Sequence, residues 1–259
     1  MADEGLLRER RGRVMLLRLN RPDRLNAMNG ELLEALHAGL AEVAADPDAD
    51  ALVVTGAGRA FSAGGDVDTL TSWQGLASAE RRVRFQRAAD LAMRLAELPL
   101  PVVAAVNGAA AGAGLDLALG ADLCLAGRSA SFGSGFVAMG LVPDMGGSWL
   151  LPRVVGLSRA RRLVLGAERI DAETAREWGM VARVVADDEL EATALEAATG
   201  MAAAAARPAY TEAKRALLDG ARSFADALHL GASTQSFLMD TAEHRRRTEQ
   251  FRARADGRG

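Results

Sequence analysis

The sequence predicts an α/β protein in which short buried strands alternate with amphipathic helices before the chain turns almost wholly helical. Three observations carry this reading. The strand-like runs are short, apolar and partly β-branched, and each ends at Gly, Asn or Pro. Helical periodicity dominates from Gly146 onward. No stretch rich in Pro, Ser or like charge separates the two regimes, so the 259 residues read as one domain with a helical extension.

Composition narrows the function classes. Ala is plentiful and aromatic residues make up only 4% of the chain, which favours Ala-lined helix packing over a β-sandwich. A formal net charge of -3 with few aromatics offers no basic stacking surface, which argues against a nucleic-acid partner and an RNA-binding role. The single cysteine, Cys124, lies in an apolar run and packs as a small hydrophobe. His37, His229 and His244 are far apart and lack ligand spacing, so no metal site is expected; His37, inside a periodic helix, is read as a surface residue. No apolar run approaches the roughly 18 residues of a membrane span, and the charged N-terminal segment has no signal-peptide core, so the expected location is cytoplasmic.

Taken in order, residues 13–19 (RVMLLRL) form a strand that stops before Pro22, and 24–28 form a loop. A helix starts near Glu31, capped by Asn29, with Leu33, Leu36, Leu40 and Val43 on its buried face. Residues 51–55 (ALVVT) suit a buried strand, followed by the Gly-rich break FSAGGD at 61–66. A helix over 82–98 ends at Pro99 and Pro101 and delivers a strand at 102–106, a break at Asn107-Gly108, a run of small residues, and a helix containing 115–119. Residues 123–126 are strand-like, and 132–144 (FGSGFVAMGLVPD) read as a pocket-lining loop. Helices follow at 148–155, 158–165, 172–179, 188–206, 208–221 and 224–251.

Two Gly-rich breaks after strands, at 61–66 and 107–114, suit close approach of a ligand to backbone N–H groups. The same small residues also serve tight helix packing. Neither GxxxxGK[ST] nor GxGxxG after a first strand is present, so phosphate-loop chemistry receives little weight.

Taken together, LNRP (19–22), LNAM (25–28), FSAGGD (61–66), AVNG (105–108) with GAG (112–114), and GLVPD (140–144) followed by Gly146-Gly147 resemble the enoyl-CoA hydratase/isomerase (crotonase) superfamily over nearly the whole chain. The resemblance implies a crotonase (ClpP/crotonase-like) spiral of ββα units, an α/β fold, in residues 1–200. It assigns a helical trimerisation region to 201–259 and implies a homotrimer or hexamer. It implies an acyl-CoA thioester substrate, with coenzyme A as part of the substrate and no tightly bound cofactor. The N–H groups of Gly65 and Ala113 would form an oxyanion hole, where preorganised donors commonly supply roughly 3 to 4 kcal/mol each. Ala113 replaces the Gly usual at that position, and its methyl narrows the approach. The resemblance also puts the adenine near Ala63, the 24–27 loop with Arg24 and Ala27 along the nucleotide, and Gly65 and Asp66 at the CoA site. The basic run 244–247 is read first as a solvated helix face and second as a contact to a CoA phosphate.

Hydratases of this family use two glutamates, and the matching positions here hold Asp116 and Phe136. A shortened acid and an aromatic put two-acid water addition in doubt. Asp144 matches the catalytic Asp of some family isomerases, notably the 2-(1,2-epoxy-1,2-dihydrophenyl)acetyl-CoA isomerases, which WLLPR (149–153), EWGM (177–180) and the aromatic Phe136 also resemble. The expectation is an enoyl-CoA isomerase with Asp144 as proton shuttle in a pocket lined by Phe136 and Met139. Alternatives are a hydratase using Asp116 and Asp144, or a hydrolase or dehalogenase with Asp144 as nucleophile; the dehalogenases' partner His has no counterpart over 85–98. Asp116 is left as second acid, orienting group, substrate hydroxyl partner or helix cap.

Overall fold

A computed structural model describes residues 5–220 and 223–255. Among these the chain opens with a hairpin, β1 (Leu6–Arg11) and β2 (Val14–Leu19), followed by α1 (Gly30–Ala45). Three strand pairs then recur, each closed by helix. β3 (Ala51–Gly56) and β4 (Ala60–Ser62) lead into α2 (Val67–Ser72) and α3 (Ser78–Ala96). β5 (Val102–Val106) and β6 (Ala109–Ala111) lead into α4 (Ala113–Leu119), and β7 (Leu123–Gly127) and β8 (Ser131–Gly133) lead towards α5 (Gly147–Val155). The remainder is α6 (Leu157–Val164), β9 (Arg169–Asp171), α7 (Ala172–Glu177), β10 (Arg183–Val185), α8 (Leu190–Ala204), α9 (Arg207–Asp219), α10 (Phe224–Met239) and α11 (Ala242–Ala255).

In each repeat the first strand joins one sheet and the second joins another. The larger sheet runs β1-β2-β3-β5-β7-β10, parallel apart from the opening hairpin; the smaller runs β4-β6-β8-β9, parallel apart from β8 with β9. This is the spiral of ββα units that the resemblance implied. Strands β3 and β5 are buried on both faces, which is why they read as unbroken apolar runs without alternation. One face packs Leu52, Val54, Val102 and Ala104 with the main core; the other packs Val53, Val103 and Ala105 beneath Leu190, Ala194 and Ala198 of α8.

Several sequence expectations are corrected. β1 lies in a segment read as merely charged: its Arg and Glu side chains face outward while Leu6 is buried. Residues 131–133 are strand rather than loop, and β9 and β10 are three-residue strands too short to carry a period. The helix expected over 224–251 is two helices with a break at Asp240-Thr241. His37 is buried, at 5% exposure, with Nε2 2.9 Å from the Arg87 carbonyl between α1 and α3. Asn29 does cap α1, its side chain accepting the Leu32 N–H at 2.9 Å. Burial pushes the Cys124 thiol up to about 12, as suits a packed, unreactive side chain.

Candidate active site

The site forms where β4, β6 and β8, adjacent in the small sheet, end side by side. Parallel pairing aligns the strand ends, so the break after each strand lies next to the others. The chain leaves β4 through Ala63-Gly64-Gly65, β6 through Gly112-Ala113, and β8 through Ser134-Gly135-Phe136. Gly64 has φ +95, and a Cβ there would lie 2.7 Å from the Ala111 carbonyl oxygen, so only glycine lets these two breaks touch.

Pairing elsewhere leaves the two expected donors free. Met28 donates to the Gly64 carbonyl at 2.7 Å and accepts from the Asp66 N–H at 3.0 Å. That parallel bridge turns the N–H of the intervening Gly65 away from Met28, and it donates to no described residue. Ala113 is the first residue of α4, so its N–H has no partner within the helix. Both residues line two adjoining cavities of about 60 and 230 Å³ that also share Leu70, Phe85 and Asp144. Met28, Leu33, Trp73, Arg84 and Met145 are among the other residues lining the smaller, and Ala63, Phe136, Met139 and Leu141 among those lining the larger. Trp73 meets Phe85 edge to face at 5.4 Å between ring centroids, which gives the smaller cavity an aromatic wall, with Arg84 against the Trp73 ring.

Asp144 is the one carboxylate among the residues lining either cavity. Its Oδ1 is buried with no hydrogen-bond partner, and burial raises its pKa above the ordinary aspartate value. It does not cap α5, whose N-cap is Gly146. Asp116 is 2% exposed and lines neither cavity; its Oδ2 accepts the Gly147 N–H at 3.1 Å. Burial pushes Asp116 up to about 7, opposed by that N–H and reinforced by the charge of Asp144. The two carboxylates thus divide: one is held by backbone, the other presents an unpartnered oxygen at the cavity.

The other expected binding residues separate as well. Ala63 and Gly65 lie in the cavity wall, whereas Arg24 and Ala27 do not. The Arg24 guanidinium is exposed and 3.2 Å from Asp68. The Asp66 carboxylate is turned inward, 7% exposed, taking the Thr69 N–H at 3.1 Å as the cap of α2 and pairing with Arg21 at 3.0 Å. Burial opposes ionisation there, but the Thr69 N–H and the Arg21 guanidinium win and hold its pKa low. Arg21 also donates to the Ala27 carbonyl, which makes it the anchor of the loop under Gly65. Asn26 completes that anchor, accepting from the Arg21 N–H at 2.9 Å and donating to the Ala57 and Ala60 carbonyls at 2.9 and 2.7 Å. The motifs LNRP and LNAM contain both residues, but not the fact that they work inward. Trp73 and Phe85 carried no signal, because helix periodicity does not say which wall a cavity uses. The basic run near 244 is spent on the chain itself: Arg246 pairs with Glu243, and Arg247 reaches the Ala205 carbonyl at 2.7 Å. No helix of the described residues is long and apolar enough to cross a membrane.

Comparison with known proteins identifies relatives and a shared fold. The sequence pattern described as enoyl-CoA hydratase/isomerase matches residues 9–254. The chain is 46% identical over 190 residues, 73% of its length and 72% of the relative's, to the 1,2-epoxyphenylacetyl-CoA isomerase of Escherichia coli. It is 45% identical over 191 residues, covering 74% of this chain and 73% of the relative, to a probable enoyl-CoA hydratase of Mycobacterium tuberculosis. Among solved structures, an enoyl-CoA hydratase of Bacillus anthracis superposes with a TM-score of 0.88 at 30% identity, covering 98% of this chain and 97% of that one.

Proposed function

Because the chain belongs to the enoyl-CoA hydratase/isomerase family, whose members act on CoA thioesters, we propose that it is an enoyl-CoA isomerase whose proton shuttle is Asp144. The observation that carries the reading is the lone carboxylate: Asp144 brings an unpartnered buried oxygen to the cavities, and Phe136 stands where a second acid would be needed. The thioester oxygen would accept from the Gly65 and Ala113 N–H groups, which stabilise the charge that develops there. That stabilisation of the enolate acidifies C2. The Asp144 carboxylate takes a C2 proton, the C–H electron pair passes into the enolate conjugated with the 3,4 double bond, and the same proton returns to C4. A raised pKa suits both halves of this exchange. The same group can assist opening of an epoxide beside the α-carbon. CoA would leave the cavity past Ala63, with Arg24 and Ala27 on the nucleotide's path.

Hydration is the rival, since relatives carry hydratase names. It needs two acids at the acyl chain, and Asp116 is withdrawn from both cavities. The test uses 3-enoyl-CoA in deuterated water with wild type and Asp144→Asn. Expected is double-bond migration with partial retention of substrate hydrogen at C4, lost by a factor of about 10³ or more in Asp144→Asn. Wild type that only hydrates 2-enoyl-CoA, or Asp144→Asn with full activity, would sink the reading. We also propose that residues 201–259 form the assembly region of a trimer or dimer of trimers. Leu228, Leu230, Phe237 and Phe251 of α10 and α11 are exposed apolar side chains of the kind an interface buries.

A further inference from the structure

Asp116 matches the position of one hydratase glutamate, which the sequence leaves open between acid, orienting group, substrate partner and cap; its surroundings are those of a clamp. Its carboxylate reaches from α4 to the start of α5 and accepts the Gly147 N–H at 3.1 Å. A Cβ built at position 147 would lie 2.0 Å from Asp116 Oδ1 and 2.8 Å from Oδ2. Nothing but glycine at 147 lets the carboxylate come this near. The N-cap residue of α5, Gly146, has φ +96 and no side chain to satisfy the first N–H groups. Asp116 supplies that cap from another helix. Asp144 lies three residues before Gly147, so whatever fixes the Gly147 N–H fixes the path of the backbone that carries Asp144.

We propose that Asp116 is a positioning residue: it holds the turn 145–147 through Gly147 and thereby aims Asp144, moving no proton to or from substrate itself. The inference rests on Asp144 being the reacting carboxylate. Of the two carboxylates, Asp144 lines the cavities and has a buried Oδ1 without a partner, whereas Asp116 lines neither cavity and its Oδ2 is bound to the Gly147 N–H. A buried acid tied to a neighbouring backbone N–H is suited to holding geometry; one in a cavity wall with an unpartnered oxygen is suited to reacting.

The test measures kcat and KM for 3-enoyl-CoA isomerisation in Asp116→Ala, Asp116→Asn, Gly147→Ala and the double variant Asp116→Ala/Gly147→Ala, with thermal unfolding to verify folding. Asp116→Ala lowers kcat by about 10- to 100-fold with KM within about twofold, the cost of misplacing a reacting group by a fraction of an ångström to 1 Å. Gly147→Ala does the same although Asp116 is intact, because its methyl displaces the carboxylate. The double variant loses no more than either single one, since both break one contact. Asp116→Asn keeps an oxygen that accepts from Gly147 and recovers activity to within about threefold of wild type. If Asp116→Asn is as inactive as Asp144→Asn, Asp116 transfers a proton and the proposal is overturned. Full activity in folded Gly147→Ala overturns it equally. Asp144→Asn run alongside separates the two readings: if it is active the isomerase assignment fails, and if it is inactive together with Asp116→Asn only the positioning role fails.

Discussion

Asp116 and Asp144 show how environment divides two chemically identical side chains. Burial raises both, but at Asp116 it is opposed by the N–H groups of Gly147 and Met145, whereas Asp144 has only its own backbone N–H and keeps Oδ1 without a partner. This has a consequence for stability. With a folded pKa of about 7 against an ordinary 3.8, Asp116 binds a proton in the native state between those values while the unfolded chain has released it. Stability contributed at this site is therefore intact below about pH 4 and falls as pH rises towards 7. Asp116→Asn removes the titration, so its Tm relative to wild type should climb steadily from pH 4 to 8; a difference independent of pH would refute the shift. With Asp144 as the proposed base, the same direction predicts activity falling in acid, with kcat/KM declining at a pH above the ordinary aspartate value, because such a base must be ionised to start the reaction.

Helices and loops around the site are held by caps that the sequence shows unequally. Asn29 on α1 and Asp171 on α7 are local caps, each accepting an N–H three residues on, and local spacing reveals such pairs. Replacing Asn29 by Ala should cost about 1 kcal/mol in urea unfolding with little change in the acyl-CoA KM. Arg21 is of another kind, since it links Asp66 and the Ala27 carbonyl from a distance in sequence. Arg21→Ala should loosen the loop that carries Gly65, lowering kcat/KM more than it lowers Tm; an undisturbed kcat/KM would show that the loop holds its shape unaided.

The assembled chain is a spiral core with a helical arm, joined where α9 lies against it. Lys214, the single lysine, pairs with Asp122 at 2.8 Å, and Asp122 also accepts the Val102 N–H at 2.8 Å. One carboxylate thus ties the arm to the start of β5. Beyond α9 the apolar side chains Leu228, Phe237 and Phe251 remain exposed. If these residues pack between copies, Phe237→Glu should shift the sedimentation coefficient towards monomer, and an unaltered assembly would place the interface elsewhere.

Much of this architecture was written in the chain. Apolar runs at 51–55, 102–106 and 123–126 determined the central strands, and five ordered motifs determined the family, because both signals are local and short. The short strands β8, β9 and β10, the buried place of His37 and the inward turn of Asp66 depend on neighbours distant in sequence, which no local pattern encodes. The site divides along the same line. Gly65, Ala113 and Asp144 were legible as motif positions, but only folding set the ends of β4, β6 and β8 side by side and closed Gly147 onto Asp116. Burial and backbone pairing are properties of packed neighbours: the motifs name both aspartates, but only the tertiary structure shows Asp116 meeting the Gly147 N–H while Asp144 lines the cavities with an unpartnered Oδ1.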